Sequence, residues 1–411
     1  MDSHALRDRA RQLMPWGTQT NAKRVPEALA DVMPPFFDRG EGCRLRTPEG
    51  RWFLDYRAAL GPILLGYRYP EVEAAVREQM DRGVLFSMAS PVELEVAERL
   101  VGAVPSLEQV RFMKTGNDAN SAAVRLARAF TKRDHLVTCG YHGYSDWFAC
   151  GTGASPSVVT SDVTGVPRAL DALATRLAYG DVEALEALFA ERGSDIAAVL
   201  MVPYDWGPTV AADFVERARD LTREHGALLI FDQILTGFRL AAGGAQDFFG
   251  VVPDLSTYAK AIANGYPLSA FGGRRDVMET LYQVTLTTTY AGETLSLAAA
   301  AATLDVVGRE PVVEHVWAMG ERLRDGFDAA AVRLGLDAHS VGLPPAVRFH
   351  FDDAPEVHAR MQTAFQRVLL TRGIFAPDLY LPTYAHQPAD IDETIAVFDE
   401  ALEAAARAGQ A

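Results

Sequence analysis

Short apolar runs recur along the middle of this chain and alternate with stretches that have helical spacing. Residues 110–114, 135–139, 157–160, 198–202, 227–231, 255–258 and 268–272 read as strands. Residues 117–131, 182–191 and 211–225 between them read as helices. Strands that are apolar on both faces and separated by helices predict a mostly parallel sheet covered on both sides. The fold class expected is α/β, and ligands of such sheets sit beyond the carboxyl ends of the strands.

From about residue 306 the pattern changes. Two long helical stretches, near 311–334 and 354–372, flank short strands such as 346–351, and a last helix is expected to begin at Asp390 as its N-cap. Residues 61–305 therefore read as a large domain and 306–411 as a smaller α/β domain, and 1–60 are expected to pack with the latter. A chain of 411 residues suits that division.

The net charge of −15 argues against nucleic acid as a partner. No apolar run approaches the roughly 20 residues that span a bilayer, and the opening residues lack an apolar signal core, so neither a membrane partner nor export is expected. Cys43, Cys139 and Cys150 have no metal spacing, so no metal is expected, and three unpaired cysteines fit a reducing cytoplasm. Only four lysines occur, at 23, 114, 132 and 260, which narrows any lysine chemistry.

Four strand-end motifs carry the chemistry. Thr115-Gly116-Asn117 ends one apolar run and opens a helix, whose free N–H groups suit a phosphate; a plain N-cap is the alternative. Gly140-Tyr-His-Gly143 places an aromatic ring, Tyr141, with His142 beside it, where a planar cofactor could stack; packing is the alternative. Asp232 closes the apolar run of residues 228–231. A carboxylate there needs a positive partner, such as a protonated pyridine nitrogen, unless it caps the next turn. Lys260 follows another apolar run. A desolvated lysine has a lowered pKa and can form an imine or move a proton. Lys132, in Thr-Lys-Arg-Asp, reads as a solvated residue at a helix end.

These motifs, in this order, resemble the class III aminotransferases of fold type I, which use pyridoxal 5′-phosphate, especially the branch around glutamate-1-semialdehyde 2,1-aminomutase. The resemblance runs from Pro15-Trp-Gly-Thr-Gln-Thr-Asn21 to the segment around His386 and Asp390, and is sharpest at Phe248-Phe-Gly-Val-Val-Pro-Asp-Leu255 and Ala259-Lys-Ala-Ile262. It implies a seven-stranded large domain, a Schiff base on Lys260, a phosphate site at Thr115, Gly116 and Asn117, and ring contacts from Tyr141, His142, Asp232 and Ile234. It also implies that Thr289 reaches the phosphate of a neighbouring subunit in a homodimer with shared sites.

The departures bear on the substrate. Asp232-Gln233-Ile234 replaces the usual Asp-Glu-Val and is expected to remove a charge beside the cofactor. Gly292-Glu-Thr294 replaces Gly-Asn-Pro and is expected to add one. Arg24 falls where the aminomutase has an arginine near the substrate carboxylate; a surface charge at a turn is the alternative. Gly17-Thr-Gln-Thr20 and Gly292-Glu-Thr-Leu-Ser-Leu297 look more like the branch found with sugar and secondary-metabolite pathways, including aminoglycoside 6′-aminotransferases. The expected activity moves an amino group between a small-molecule amine donor and a carbonyl acceptor, in amino-sugar or antibiotic biosynthesis. A 2,1-aminomutase, an epimerase at an amine-bearing carbon and a non-catalytic binding protein are the alternatives. Phe86, Ser87, Trp147 and Arg24 are the candidate substrate contacts.

Overall fold

The computed structural model describes residues 3–149, 164–376 and 378–410. The chain divides into two compact units, residues 70–313 and residues 1–69 with 314–411.

The larger unit is built on seven strands: β1 (Gln109–Met113), β2 (His135–Cys139), β3 (Ala174–Arg176), β4 (Ile196–Met201), β5 (Leu228–Asp232), β6 (Leu255–Tyr258) and β7 (Ser269–Gly273). Their order across the sheet is β1-β7-β6-β5-β4-β2-β3. Only β7 runs against its neighbours, β1 and β6; the other pairings are parallel. Every residue of β2, β4, β5 and β6 is buried, as strands covered on both faces require. The predicted strand at 157–160 lies outside the described residues. The edge strand β3 was not anticipated, because Ala-Thr-Arg presents no apolar run.

Helices Gly116–Thr131, Val182–Arg192 and Ala212–His225 fall where the spacing predicts them. The first buries an alanine-rich stripe that includes Ala119, Ala122, Ala123 and Ala127, which lets it lie close to the sheet. It ends at Lys132, which takes a left-handed conformation as the C-cap.

In the smaller unit, Arg39–Glu41, Arg44–Arg46, Trp52–Asp55 and Ile374–Phe375 form a four-stranded sheet. His339–Val341 and Arg348–His350 form a two-stranded ribbon. The core gathers Phe327, Phe349, Phe365 and Phe398, with Phe327 stacked on Phe349 at 3.8 Å between ring centres. One helix end differs from expectation. The last helix spans Pro388–Gly409, and its N-cap is Gln387 rather than Asp390. Proline is favoured at the first helical position, and Asp390 closes the box from the third by accepting from the Gln387 N–H at 2.9 Å.

Among the described residues no helix is long and apolar enough to cross a membrane.

Candidate active site

The carboxyl ends of β1, β2, β5 and β6 lead into the four singled-out motifs. At the centre stands Asp232, the last residue of β5 and 3% exposed. Its Oδ2 accepts from Asn120 Nδ2 at 2.8 Å and from His142 Nδ1 at 2.7 Å. Its Oδ1 accepts from the Ile234 N–H at 3.0 Å. Three donors compensate the lost hydration of this carboxylate. His142 is itself buried, and its Nε2 has no partner among the described residues.

Asn120 escaped the sequence reading. It is fully buried, donates also to the His142 carbonyl at 3.0 Å, and accepts from Thr257 Oγ1 at 2.7 Å. A polar residue on the alanine stripe, one turn after Gly116, was the signal available.

Lys260 follows β6 by two residues and is partly buried. Its φ of 47° is left-handed, an uncommon and costly conformation for a residue with a side chain. Burial lowers its pKa to about 8; Asp232 opposes that shift and Arg239 adds to it. An amine that titrates there is largely uncharged in mildly alkaline solution and free to act as a nucleophile.

At the start of helix Gly116–Thr131, Thr115 is the N-cap. Its hydroxyl accepts from the Asp118 N–H at 3.2 Å, and its own N–H donates to Asp118 Oδ2 at 2.8 Å. That capping box leaves the N–H groups of Gly116 and Asn117, which the helix cannot satisfy internally, as anion donors. Gly116 lets the two segments approach closely: a Cβ there would stand 2.4 Å from Ile234 Cδ1 and would have to displace that side chain. The phosphate-type turn and the Asp232 turn therefore touch. The Asn117 side chain looks away from this cradle. Its Oδ1 accepts from the N–H groups of Tyr144 and Ser145 at 3.0 and 3.1 Å and from Ser145 Oγ at 2.9 Å, and so fixes the loop after Tyr141. Tyr141 is 60% exposed and meets Phe148 edge-on.

Two departures from the usual pattern prove different from expectation. Gln233 places no change beside Asp232. Successive residues along an extended chain point to opposite sides, and its buried carboxamide donates to Tyr258 OH and Ser256 Oγ and accepts from the Ala245 N–H. The charge that Glu293 adds is spent locally. Its carboxylate caps helix Thr294–Arg309 and pairs with Lys114 at 3.0 Å. Burial would raise its pKa, but the Ser296 and Lys114 contacts outweigh burial and hold it low.

The remaining candidates are scattered. Trp147 is partly buried against the core beside the sheet, and its indole N–H donates to Ser121 Oγ at 2.9 Å. Phe86 and Ser87 lie on an exposed loop whose start is pinned by the Thr294 hydroxyl on the Gly83 carbonyl at 2.8 Å. Thr289 is exposed on the loop before helix Thr294–Arg309. Arg24 belongs to the smaller unit, with its guanidinium 4.7 Å above the Trp16 ring, in a cavity of about 640 Å³ also lined by Arg7, Arg11 and Lys23.

A mostly parallel α/β sheet here ends in an anchored carboxylate, a lysine with a lowered pKa and a helix start with free N–H groups, an arrangement compatible with a pyridoxal phosphate enzyme. The profile of the aminotransferase class-III family matches residues 27–338, and the chain belongs to that family. Glutamate-1-semialdehyde 2,1-aminomutase of Thermomicrobium roseum is 37% identical, covering 99% of this chain and 99% of its own. The pyridoxal phosphate-bearing FumI protein of a Sphingopyxis species has the same fold, with a TM-score of 0.90, 31% identity, and coverage of 98% of this chain and 96% of its own. An omega-transaminase from Sphaerobacter thermophilus superposes with a TM-score of 0.89 at 26% identity, covering 98% of both chains. The chain is thus a class III enzyme of the aminotransferase and aminomutase type, of fold type I, with pyridoxal phosphate as its cofactor.

Proposed function

We propose that Lys260 holds the cofactor covalently and that the chain moves an amino group from a small-molecule amine to a carbonyl compound, in amino-sugar or other secondary-metabolite biosynthesis. The observation that carries this is Lys260 itself: a left-handed, depressed amine within electrostatic reach of an anchored carboxylate. The cradle fits the group in kind. Gly116 and Asn117 offer N–H donors for the phosphate, with Thr115 closing the turn. Asp232 offers a charge for the ring nitrogen, and Ile234 and Tyr141, with His142 beside it, offer apolar and aromatic surface for the ring.

When bound, the cofactor supplies an electron sink for charge that develops on the substrate carbon next to nitrogen. The protein's part is narrower. Asp232 keeps the ring nitrogen protonated. Lys260 Nζ would accept the proton from the substrate carbon next to nitrogen and deliver it to the cofactor's C4′ carbon. The helix start at Asn117 keeps the phosphate, and so the whole group, from shifting.

Arg24 supports a second reading, a 2,1-aminomutase acting on a carboxylate-bearing substrate, because its cavity carries three further cations. Exposed Val84, Leu85, Phe86, Met88, Tyr282 and Tyr290 support a homodimer, in which Thr289 would serve the neighbouring site. Buried free Cys43 and Cys139 are compatible with a cytoplasmic setting.

The test begins with purified protein and added pyridoxal phosphate. Wild type is expected to develop a visible absorption band that borohydride traps on Lys260, and Lys260→Ala is expected to develop none. Uptake by cofactor-free protein should quicken as pH rises through about 8, where Lys260 loses its proton. A Lys260→Ala protein with the wild-type band would overturn the assignment. Amine donors that bleach the band and aminate a keto acid mark transfer, whereas isomerised product without any acceptor marks the mutase.

A further inference from the structure

We propose that Asn120 is a positioning residue that hydrogen-bonds Asp232 without bringing a charge of its own and presents the Asp232 Oδ1 oxygen to the cofactor's ring nitrogen. The inference rests on the reading of Asp232 given above and goes beyond it, since it concerns how that carboxylate is held.

Each carboxylate oxygen can accept about two hydrogen bonds in its plane. Oδ2 already has two, from Asn120 and His142, whereas Oδ1 has one, from the Ile234 N–H. The oxygen with capacity left is therefore Oδ1. Asn120 also suits the task chemically. A lysine or arginine at its position would neutralise Asp232 and compete with a cationic ring nitrogen. A carboxamide solvates the carboxylate and adds no charge.

Its orientation is set from both sides. The amide nitrogen faces Asp232 Oδ2 and the His142 carbonyl, two oxygens that only accept, and on the other side Thr257 Oγ1 donates to Asn120 Oδ1 at 2.7 Å. A flipped amide would set its oxygen against Oδ2. Thr257 lies on β6, three residues before Lys260, and Asp232 ends β5, so this chain of bonds ties the strand that carries the lysine to the strand that carries the carboxylate. The second donation by Asn120, to the His142 carbonyl, draws in the loop after β2. All these groups are buried.

The experiment measures cofactor affinity by absorbance titration and the pH dependence of that affinity, alongside the melting temperature of cofactor-free protein. Asn120→Leu, which removes the donors, should weaken pyridoxal phosphate binding by about tenfold or more. Thr257→Val, which leaves the buried Asn120 Oδ1 without its donor and loosens the amide, should weaken it less, in the same direction. Asn120→Asp sets a second carboxylate against Asp232. Relative to wild type at the same pH, its affinity should fall at neutral pH and recover on acidification, as the pair comes to share a proton. A merely structural role would not produce that recovery. Wild-type affinity in both Asn120→Leu and Thr257→Val, or a pH-independent defect in Asn120→Asp, would overturn the proposal. Should Asn120→Leu fail to fold, the other two variants decide. Asp232→Asn separates the two levels. If it binds the cofactor as tightly as wild type, the reading of Asp232 itself fails. If it binds weakly while the Asn120 and Thr257 variants bind normally, only the positioning role fails.

Discussion

Two buried carboxylates, one in each unit, end a strand and accept three hydrogen bonds, yet they do opposite work. Asp232 closes β5 and takes two of its donors, Asn120 and His142, from side chains on other elements. Asp55 closes strand Trp52–Asp55 and is 1% exposed. It accepts from the Arg57 N–H at 2.9 Å, the Ala58 N–H at 3.1 Å and Tyr67 OH at 2.7 Å. Two of those donors are the backbone just ahead of it. That backbone is strained: Ala58, Ala59 and Leu60 have φ of 47°, 54° and 76°, before Gly61 at 103°. Single residues in this region cost about 1–3 kcal/mol. Asp55 holds a shape in its own chain, whereas Asp232 is held largely by other elements and, on the function proposed above, keeps an oxygen for a partner that is not protein. Counting hydrogen bonds does not separate a structural carboxylate from a functional one; the origin of the donors does.

The sharpest way to break this comparison is to make the same change at both sites. Asp232→Asn should lower amine turnover on the order of a hundredfold or more, with a small change in melting temperature. Asp55→Asn should do the reverse. A carboxamide has one acceptor oxygen for the two backbone N–H groups, so folding stability should fall by about 1–3 kcal/mol. The folded protein should still take up pyridoxal phosphate. Turnover assays and chemical denaturation of both variants check the pair. Equal stability losses with intact turnover in Asp232→Asn would erase the distinction.

The sequence showed one side of this contrast and hid the other. Asp232 was legible because a carboxylate after four apolar residues must find compensation, and Lys260 because few lysines compete with it. Asn120 was not, since an asparagine one turn into a helix looks like one more weak helix former unless its place on the buried alanine stripe is noticed. Nor was the direction of Gln233, which turns on the pleat after β5 and not on residue type. The left-handed turn at 58–61 was beyond reach. Ala-Ala-Leu has ordinary helical preference, and only the tertiary grip of Asp55, with Gly61 behind it, overrides that preference. The parallel sheet itself was readable in its buried strands and failed at β3, where an edge strand of three residues needs no apolar run.

The smallest effect expected is a dependence on pH, and its sign follows from the same burial. Desolvation raises the Asp55 carboxyl to about 6, against the bonds from Tyr67, Arg57 and Ala58 and the charge of Arg57, all of which favour ionisation. Arg57 offsets this only in part, because it is itself desolvated and also faces Asp378. In the unfolded chain the same carboxyl titrates near the ordinary 3.8. Between those values the folded state binds the proton and the unfolded state does not, so the contribution of Asp55 to stability falls as pH rises through the window and levels off above it. From about pH 5 to about pH 7 the loss should come to about 1 kcal/mol. Asp55→Asn should flatten that part of the profile while lying below wild type. Denaturation midpoints of the two proteins across the window measure the difference. A wild-type profile that rose relative to the variant's would mean that the turn at 58–61 binds the ionised carboxylate more tightly than burial penalises it, and Asp55 would then join Asp232 as a charge the fold is built to keep.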